Sequence, residues 1–173
     1  MDKEQKEEEL TIPDHFRTIQ LDSNYILSIP KEFHEVNNLN FSSSFQFASL
    51  IEVQYIVIQE EEKGGGEFED LTLNEYADKK LDDLQRKMRD VVRSDAVAFK
   101  FNDVSGVKTN IEADVYGWPT RICYWIGIVE LEEKFVSTIA WTLVDRKNDF
   151  EADAEVIVQS VRKVDTKKSD HLE

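Results

Sequence analysis

The chain has 173 residues, with 36 acidic against 21 basic side chains and a formal net charge of −15, a balance that disfavours nucleic acid and anionic membrane surfaces as partners. A 40% apolar share with ten Phe, five Tyr and three Trp argues for one well-cored domain over a disordered chain. The one cysteine excludes an internal disulfide and a cysteine metal cluster, and no stretch reaches the ~18 apolar residues of a membrane span.

Residues 1–12 read as a disordered acidic lead-in, of the kind that tethers a domain to something upstream. Asp2 to Glu9 is too charged for the apolar core of a signal peptide. Phe16 to Leu21 alternates apolar and polar and predicts a short strand. Tyr25 to Pro30 predicts its hairpin partner across Asp22-Ser23-Asn24, ended by a proline that cannot donate to a ladder. Lys31 to Ser44 has no period and reads as a long surface loop with the apolar pins Phe33, Leu39 and Phe41. Phe45 to Ala48 and Leu50 to Gln59 are the next two strands, followed by a charged loop from Glu60 to Glu67. Its triple glycine lacks the Lys-Ser/Thr of a phosphate loop and is flanked by acids.

Thr72 to Arg93 carries the strongest helix signal. Thr72 or Asn74 can cap it, Glu75 completing a capping box with Thr72, and Leu73, Tyr76, Ala77, Leu81, Leu84, Met88, Val91 and Val92 recur at three- and four-residue steps. Ala96 to Asn102 is a strand. Val107 to Val115 alternates strictly with Lys108, Asn110, Glu112 and Asp114, which predicts a strand with one wet face near a sheet edge. Arg121 to Leu131 and Phe135 to Val144 form a β-hairpin around Glu132-Glu133-Lys134. Both its faces are apolar: Ile122, Tyr124, Ile126 and Ile128 oppose Cys123, Trp125, Val129 and Leu131. A strand apolar on both sides needs cover on both sides, so this hairpin belongs at the centre of a sheet between helices. Asp149 to Val164 predicts a closing helix, with Asp149 its candidate cap.

Several of these segments together resemble the PsbP-like (DcrB-like) family, which includes a Ran-binding nuclear-import factor. They are Tyr25-Ile26-Leu27-Ser28-Ile29-Pro30 with Phe33, Ala48-Ser49-Leu50 before Tyr55-Ile56-Val57-Ile58, and Leu71-Thr72-Leu73-Asn74-Glu75-Tyr76. Gly106, Lys134-Phe135-Val136, Trp141-Thr142-Leu143 and Ile157-Val158-Gln159-Ser160-Val161 continue the match, which spans about residues 16–164. The resemblance implies an antiparallel sheet between helices and a role in protein binding or assembly, often exported or lipid-anchored in bacteria. Its motifs are structural, so it transfers no catalytic, cofactor or metal residue.

The chemistry of single residues points the same way. Cys123 lies mid-strand with no histidine near in sequence, so it reads as a buried inert thiol. His15, His34 and His171 lack metal-ligand spacing. Asp145, Asn148, Asp149, Glu151 and Asp153 could offer oxygens to calcium but lack the turn glycine and spaced Glu of an EF-hand, so they read as a capping, solvated segment. Trp118, between Gly117 and Pro119, reads as sealing the sheet end and is also a candidate binding aromatic. An enzyme would have to use a pocket carboxylate such as Asp103 or Asp114.

The expected fold is therefore an α+β sandwich spanning 13–165, an antiparallel sheet between helices, with 166–173 a tail ending in a Leu172-Glu173 junction like that before a purification tag. The expected function is non-catalytic binding or assembly through a protein partner, with no cofactor, at a periplasmic or other extracytoplasmic site on a lipid anchor. A cytoplasmic site is the alternative location, and an apolar-ligand carrier with a cavity under the long helix is the alternative function. The expected partner surface comprises Phe33 and Phe41 of the Lys31–Ser44 loop, Lys108, Asn110 and Glu112 on the wet strand face, and Trp118.

Overall fold

The computed structural model describes residues 9–22, 24–39, 42–64, 66 and 70–164. Most of the acidic lead-in, Phe41 and the C-terminal tail lie outside the described residues. Eleven strands and two α-helices are described: β1 (Phe16–Asp22), β2 (Tyr25–Pro30), β3 (His34–Glu35), β4 (Phe45–Ser49), β5 (Gln54–Glu62), α1 (Leu73–Gln85), β6 (Met88–Arg93), β7 (Val97–Phe101), β8 (Val104–Val115), β9 (Ile122–Glu130), β10 (Lys134–Leu143), α2 (Lys147–Gln159) and β11 (Arg162–Lys163). The main sheet is antiparallel in the order β3-β4-β5-β10-β9-β8-β6, with β7 also paired to β8. A second sheet, β1-β2-β11, covers part of one face.

The β9–β10 hairpin is the innermost element, as its two apolar faces require. Tyr124, Ile126, Ile128, Phe135, Ile139 and Trp141 belong to the core under α1, with Tyr76, Ala77 and Leu81 of the helix. Cys123, Trp125, Val129, Leu131, Val136 and Ala140 belong to the opposite core, shared with α2 and the small sheet. There the Phe150 ring meets Trp125 edge-on at 5.5 Å and stacks over Phe33 at 6.1 Å. At the end of α2 the buried Ser160 hydroxyl accepts from the Ser28 backbone N–H at 3.0 Å, binding helix to small sheet.

Four expectations are corrected. The predicted helix to Arg93 stops at Gln85, and Met88–Arg93 is a strand on β8. The strand expected from Leu50 begins at Gln54, and Glu60–Glu62 extends it opposite Val136, Phe135 and Lys134. The closing helix starts at Lys147 without a side-chain cap and ends at Gln159, after which Arg162 and Lys163 pair with β2. Ile12, counted with the lead-in, packs on the core. The Thr72 cap is as expected, its hydroxyl accepting from Glu75 N–H at 3.2 Å.

Burial sets how the fold responds to alkali. Burial raises the Tyr124 phenol to about 12, and burial together with Glu112 raises the Cys123 thiol to about 11. Tyr25 is pushed up by burial and by Glu60, and Tyr76 by burial and by Glu61. A group whose folded pKa is raised gives stability that is full below its unfolded pKa and lost as pH climbs towards the folded one. The urea midpoint should hold to about pH 9, the unfolded thiol range, and fall steadily above about pH 10, where unfolded tyrosines ionise. Cys123→Ala should flatten the first part of that fall. A midpoint constant to about pH 12 would contradict this account.

Candidate partner-binding surface

Four of the six large exposed apolar side chains among the described residues lie on turns at one end of the main sheet, and the other two, Val92 and Val97, are on β6 and β7. The β4–β5 hairpin closes between Ser49 and Gln54, leaving Leu50-Ile51-Glu52-Val53 as a four-residue tip. Leu50 is 70% and Ile51 89% exposed. At the same end the β8–β9 turn presents Tyr116, 92% exposed, and Trp118, 37% exposed. Trp118 reaches over β9 and β10 to meet the Tyr55 ring edge-on at 5.8 Å. Tyr55 stacks on Trp141 at 5.3 Å, and Tyr124 lies 6.1 Å from Trp141 on its other side. Register explains this row, because Tyr55, Trp141 and Tyr124 are direct cross-strand partners. Trp118 thus packs at the end of this row, the sealing position, while staying 37% exposed.

The tip is held under strain. Val53 has φ +56°, a region that β-branched residues avoid. Two side chains pin it from behind: the Thr142 hydroxyl donates to Val53 C=O at 2.7 Å, and Arg146 donates to Glu52 C=O at 3.3 Å. Val53→Asn should raise the urea midpoint by about 1 kcal/mol equivalent, since asparagine tolerates the left-handed region. An unchanged or lower midpoint would mean that the tip is not strained.

Beside the tip runs a groove of about 560 Å³, between β3, the tip and the start of α2. Glu32, Glu52, Asp149 and Asp153 line it together with Leu50 and Ile51. His15 Nε2 lies 2.9 Å from Asp153. The groove is the part of the Lys31–Ser44 loop's surroundings that stays open, as Glu32, His34 and Val36 face it.

The residues expected to form one partner surface are distributed differently. Phe33 is fully buried against Phe150, in a turn after β2 where its N–H donates to the Pro30 carbonyl at 3.2 Å. Phe41 lies outside the described residues. Lys108, Asn110 and Glu112 do share the polar face of β8, between buried Val107, Thr109, Ile111 and Ala113. Two of them are engaged within the chain: Lys108 pairs with Glu155 of α2 at 3.2 Å, and Glu112 lies 3.7 Å from Arg121 and 3.9 Å from Lys147. Helix α2 thus stands between β8 and the groove, while Trp118 is on the other face of the sheet. Leu50 and Ile51 were missed because a run of apolar residues before a strand reads as more strand.

Cys123 is buried with a raised pKa, which suits an inert thiol rather than a nucleophile. Among the described residues no three His, Cys, Asp or Glu side chains converge as a metal ion needs, the acids from Asp145 to Asp153 included. Under α1, where the carrier alternative places its cavity, Tyr76 lies flat on Phe135 with ring centres 4.1 Å apart. No described helix is long and apolar enough to cross a membrane.

No protein-family model matches the sequence, and no curated protein matches it. Solved structures do. Cyanobacterial PsbP (CyanoP) from Synechocystis superposes with a TM-score of 0.64 at 14% identity, over 89% of this chain and 95% of that one. LpqN, involved in cell envelope biogenesis of Mycobacterium tuberculosis, gives 0.61 at 14% over 88% and 93%. The Ran-binding protein Mog1p of Saccharomyces cerevisiae gives 0.59 at 8% over 88% and 97%. Identities this low establish architecture alone, and the architecture of this chain is the PsbP-like α+β fold.

Proposed function

We propose that the protein is a non-catalytic binding or assembly factor that engages a protein partner through the end of the main sheet carrying Leu50, Ile51, Tyr116 and Trp118. The observation that carries the reading is that these exposed apolar side chains lie on two turns at the same end of the main sheet, with Trp118 reaching across to Tyr55. Scattered exposed apolar residues are ordinary, whereas a gathered patch marks an interaction site. The same fold serves a Ran-binding protein, which supports a binding role on this scaffold.

A photo-crosslinking residue placed at Ile51, at Tyr116 and at Asp78 on the exposed side of α1 tests this in the native host. Discrete adducts of constant size are expected from the first two positions and none from the third. Absence of adducts at the tip, or one common ladder from all three, would overturn the reading.

We also assign the protein to the outside of the cytoplasm. The charged stretch of residues 1–12 suits a tether to a lipidated terminus, and the neighbour LpqN acts in the cell envelope. The native gene's first codons decide it: a lipobox cysteine just before this sequence supports export, and a cytoplasmic start refutes the location while leaving the binding role.

A further inference from the structure

We infer that the groove beside the β4–β5 tip receives a basic, amphipathic segment of the partner protein, with an apolar side chain against Leu50 and Ile51 and Lys or Arg side chains against the groove carboxylates. The inference rests on the protein-binding reading and names the chemistry of its occupant. Charge complementarity argues for it. Elsewhere the sandwich neutralises its half-buried acids internally: Asp22 and Glu60 with Lys134, Glu61 with Lys80, Glu130 with Lys63, and Glu155 with Lys108. The groove acids are different in kind: Glu32, Glu52 and Asp149 are exposed and only Asp153 is half-buried, so they stand open to a partner's cations. Neither Lys nor Arg is among the groove's described lining residues, and Glu32, Glu52 and Asp149 have no ion pair among the described residues. Two guanidinium groups near the groove are turned to backbone carbonyls, Arg146 to Glu52 and Arg17 to Phe33. Asp153 has a histidine partner that is charged only when protonated.

An apolar pair set at the rim of unneutralised carboxylates is a poor surface for an acidic or wholly apolar partner, since either would leave the charges unpaired on burial. A segment alternating cations with apolar side chains satisfies both parts at once. The volume, about 560 Å³, holds a few side chains of such a segment. It is too small for a folded domain.

The probe is a synthetic peptide alternating Lys with Leu, set against one alternating Glu with Leu and one alternating Lys with Ser. Binding to the full chain is followed by fluorescence anisotropy. The Lys–Leu peptide should bind, weaken with added salt, and weaken at least about tenfold for Ile51→Asp and for Glu52→Lys. Ile51 is exposed, so its substitution should leave the unfolding midpoint unchanged, which verifies that the fold survives. Asp78→Lys, equal in charge change but remote on α1, should move the affinity by no more than about twofold. Equal binding of the Lys–Ser peptide, or an equal effect of Asp78→Lys, means diffuse attraction to an acidic protein and overturns the inference. Crosslinks from Ile51 without Lys–Leu binding overturn the basic chemistry and leave the protein-binding role standing. Loss of both removes the two together.

Discussion

Gly127→Ala is expected to cost at least about 3 kcal/mol, the upper end of what overpacking a core usually costs. Gly127 sits in the middle of β9, between Thr138 of β10 and Lys108 of β8. A Cβ there would lie 1.9 Å from the Val158 carbonyl oxygen and 2.8 Å from its carbonyl carbon. Both are backbone atoms of α2, so no rotamer change relieves the clash. The helix itself must lift, and with it Phe150, Ala154 and Ile157, all fully buried. Alanine would restrict the unfolded chain in the protein's favour by only about 0.4–1 kcal/mol. Gly106→Ala is the control. Its new Cβ would meet the Phe99 ring, a side chain on β7 that can swing away. Urea unfolding should show a clear loss for Gly127→Ala and a smaller one for Gly106→Ala. Equal midpoints would mean that α2 is not seated against β9.

The second large effect is expected at Lys134. Its Nζ lies 2.8 Å from Asp22 and 3.2 Å from Glu60, and 5.6 Å from the centre of the Tyr25 ring. The fully buried Tyr25 donates its hydroxyl to Glu60 as well. Burial would lower the lysine's pKa, but Asp22 and Glu60 outweigh it and hold the ammonium above its ordinary range. Lys134→Met would leave Glu60 beside an apolar wall and cut the charged link between the β1–β2 hairpin and the main sheet. Removing one partner of a buried pair costs roughly 3–5 kcal/mol. Lys134 also borders an open cleft with Asn24 and Val164, so water offsets part of that, and about 3 kcal/mol is expected. Adding Glu60→Gln to Lys134→Met should recover part of the loss, since the stranded charge is then gone. Two losses that simply add would show that the pair is not coupled.

What the sequence conveyed well was set by burial on both sides. The alternation of Ile126 and Ile128 against Trp125 and Val129 assigned each residue to the core it occupies. It also located the hairpin, because a two-faced strand has one place in a layered fold. Where the sequence misled, a second pattern overlay the true one. Met88, Val91 and Val92 continue the stripe of α1, so helical spacing runs straight into β6. The strand that forms is irregular: its register slips between Arg89 and Val92, and Asp90 adopts φ +50°. A bulge of that kind erases the two-residue period by which a strand is recognised. The candidate surface was legible in part. Trp118 stood out as an aromatic between turn residues, and the Lys31–Ser44 loop lines the groove. Leu50 and Ile51 did not, since turn geometry and not composition places them in solvent.

The pairing of β11 with β2 and the seating of α2 on β9 have a consequence for biosynthesis. One whole side of the central hairpin is roofed by chain from Lys147 onward and by the β1–β2 hairpin that β11 joins. A ribosome that has delivered everything up to Leu143 has delivered the main sheet without that cover. Trp125, Val129, Val136 and Ala140 then face water. That face is covered only once residues 147–163 have followed, and the β2–β11 pairing spans a separation in sequence that makes loop closure slow. Until then the apolar face of the sheet is the surface most exposed to misassociation.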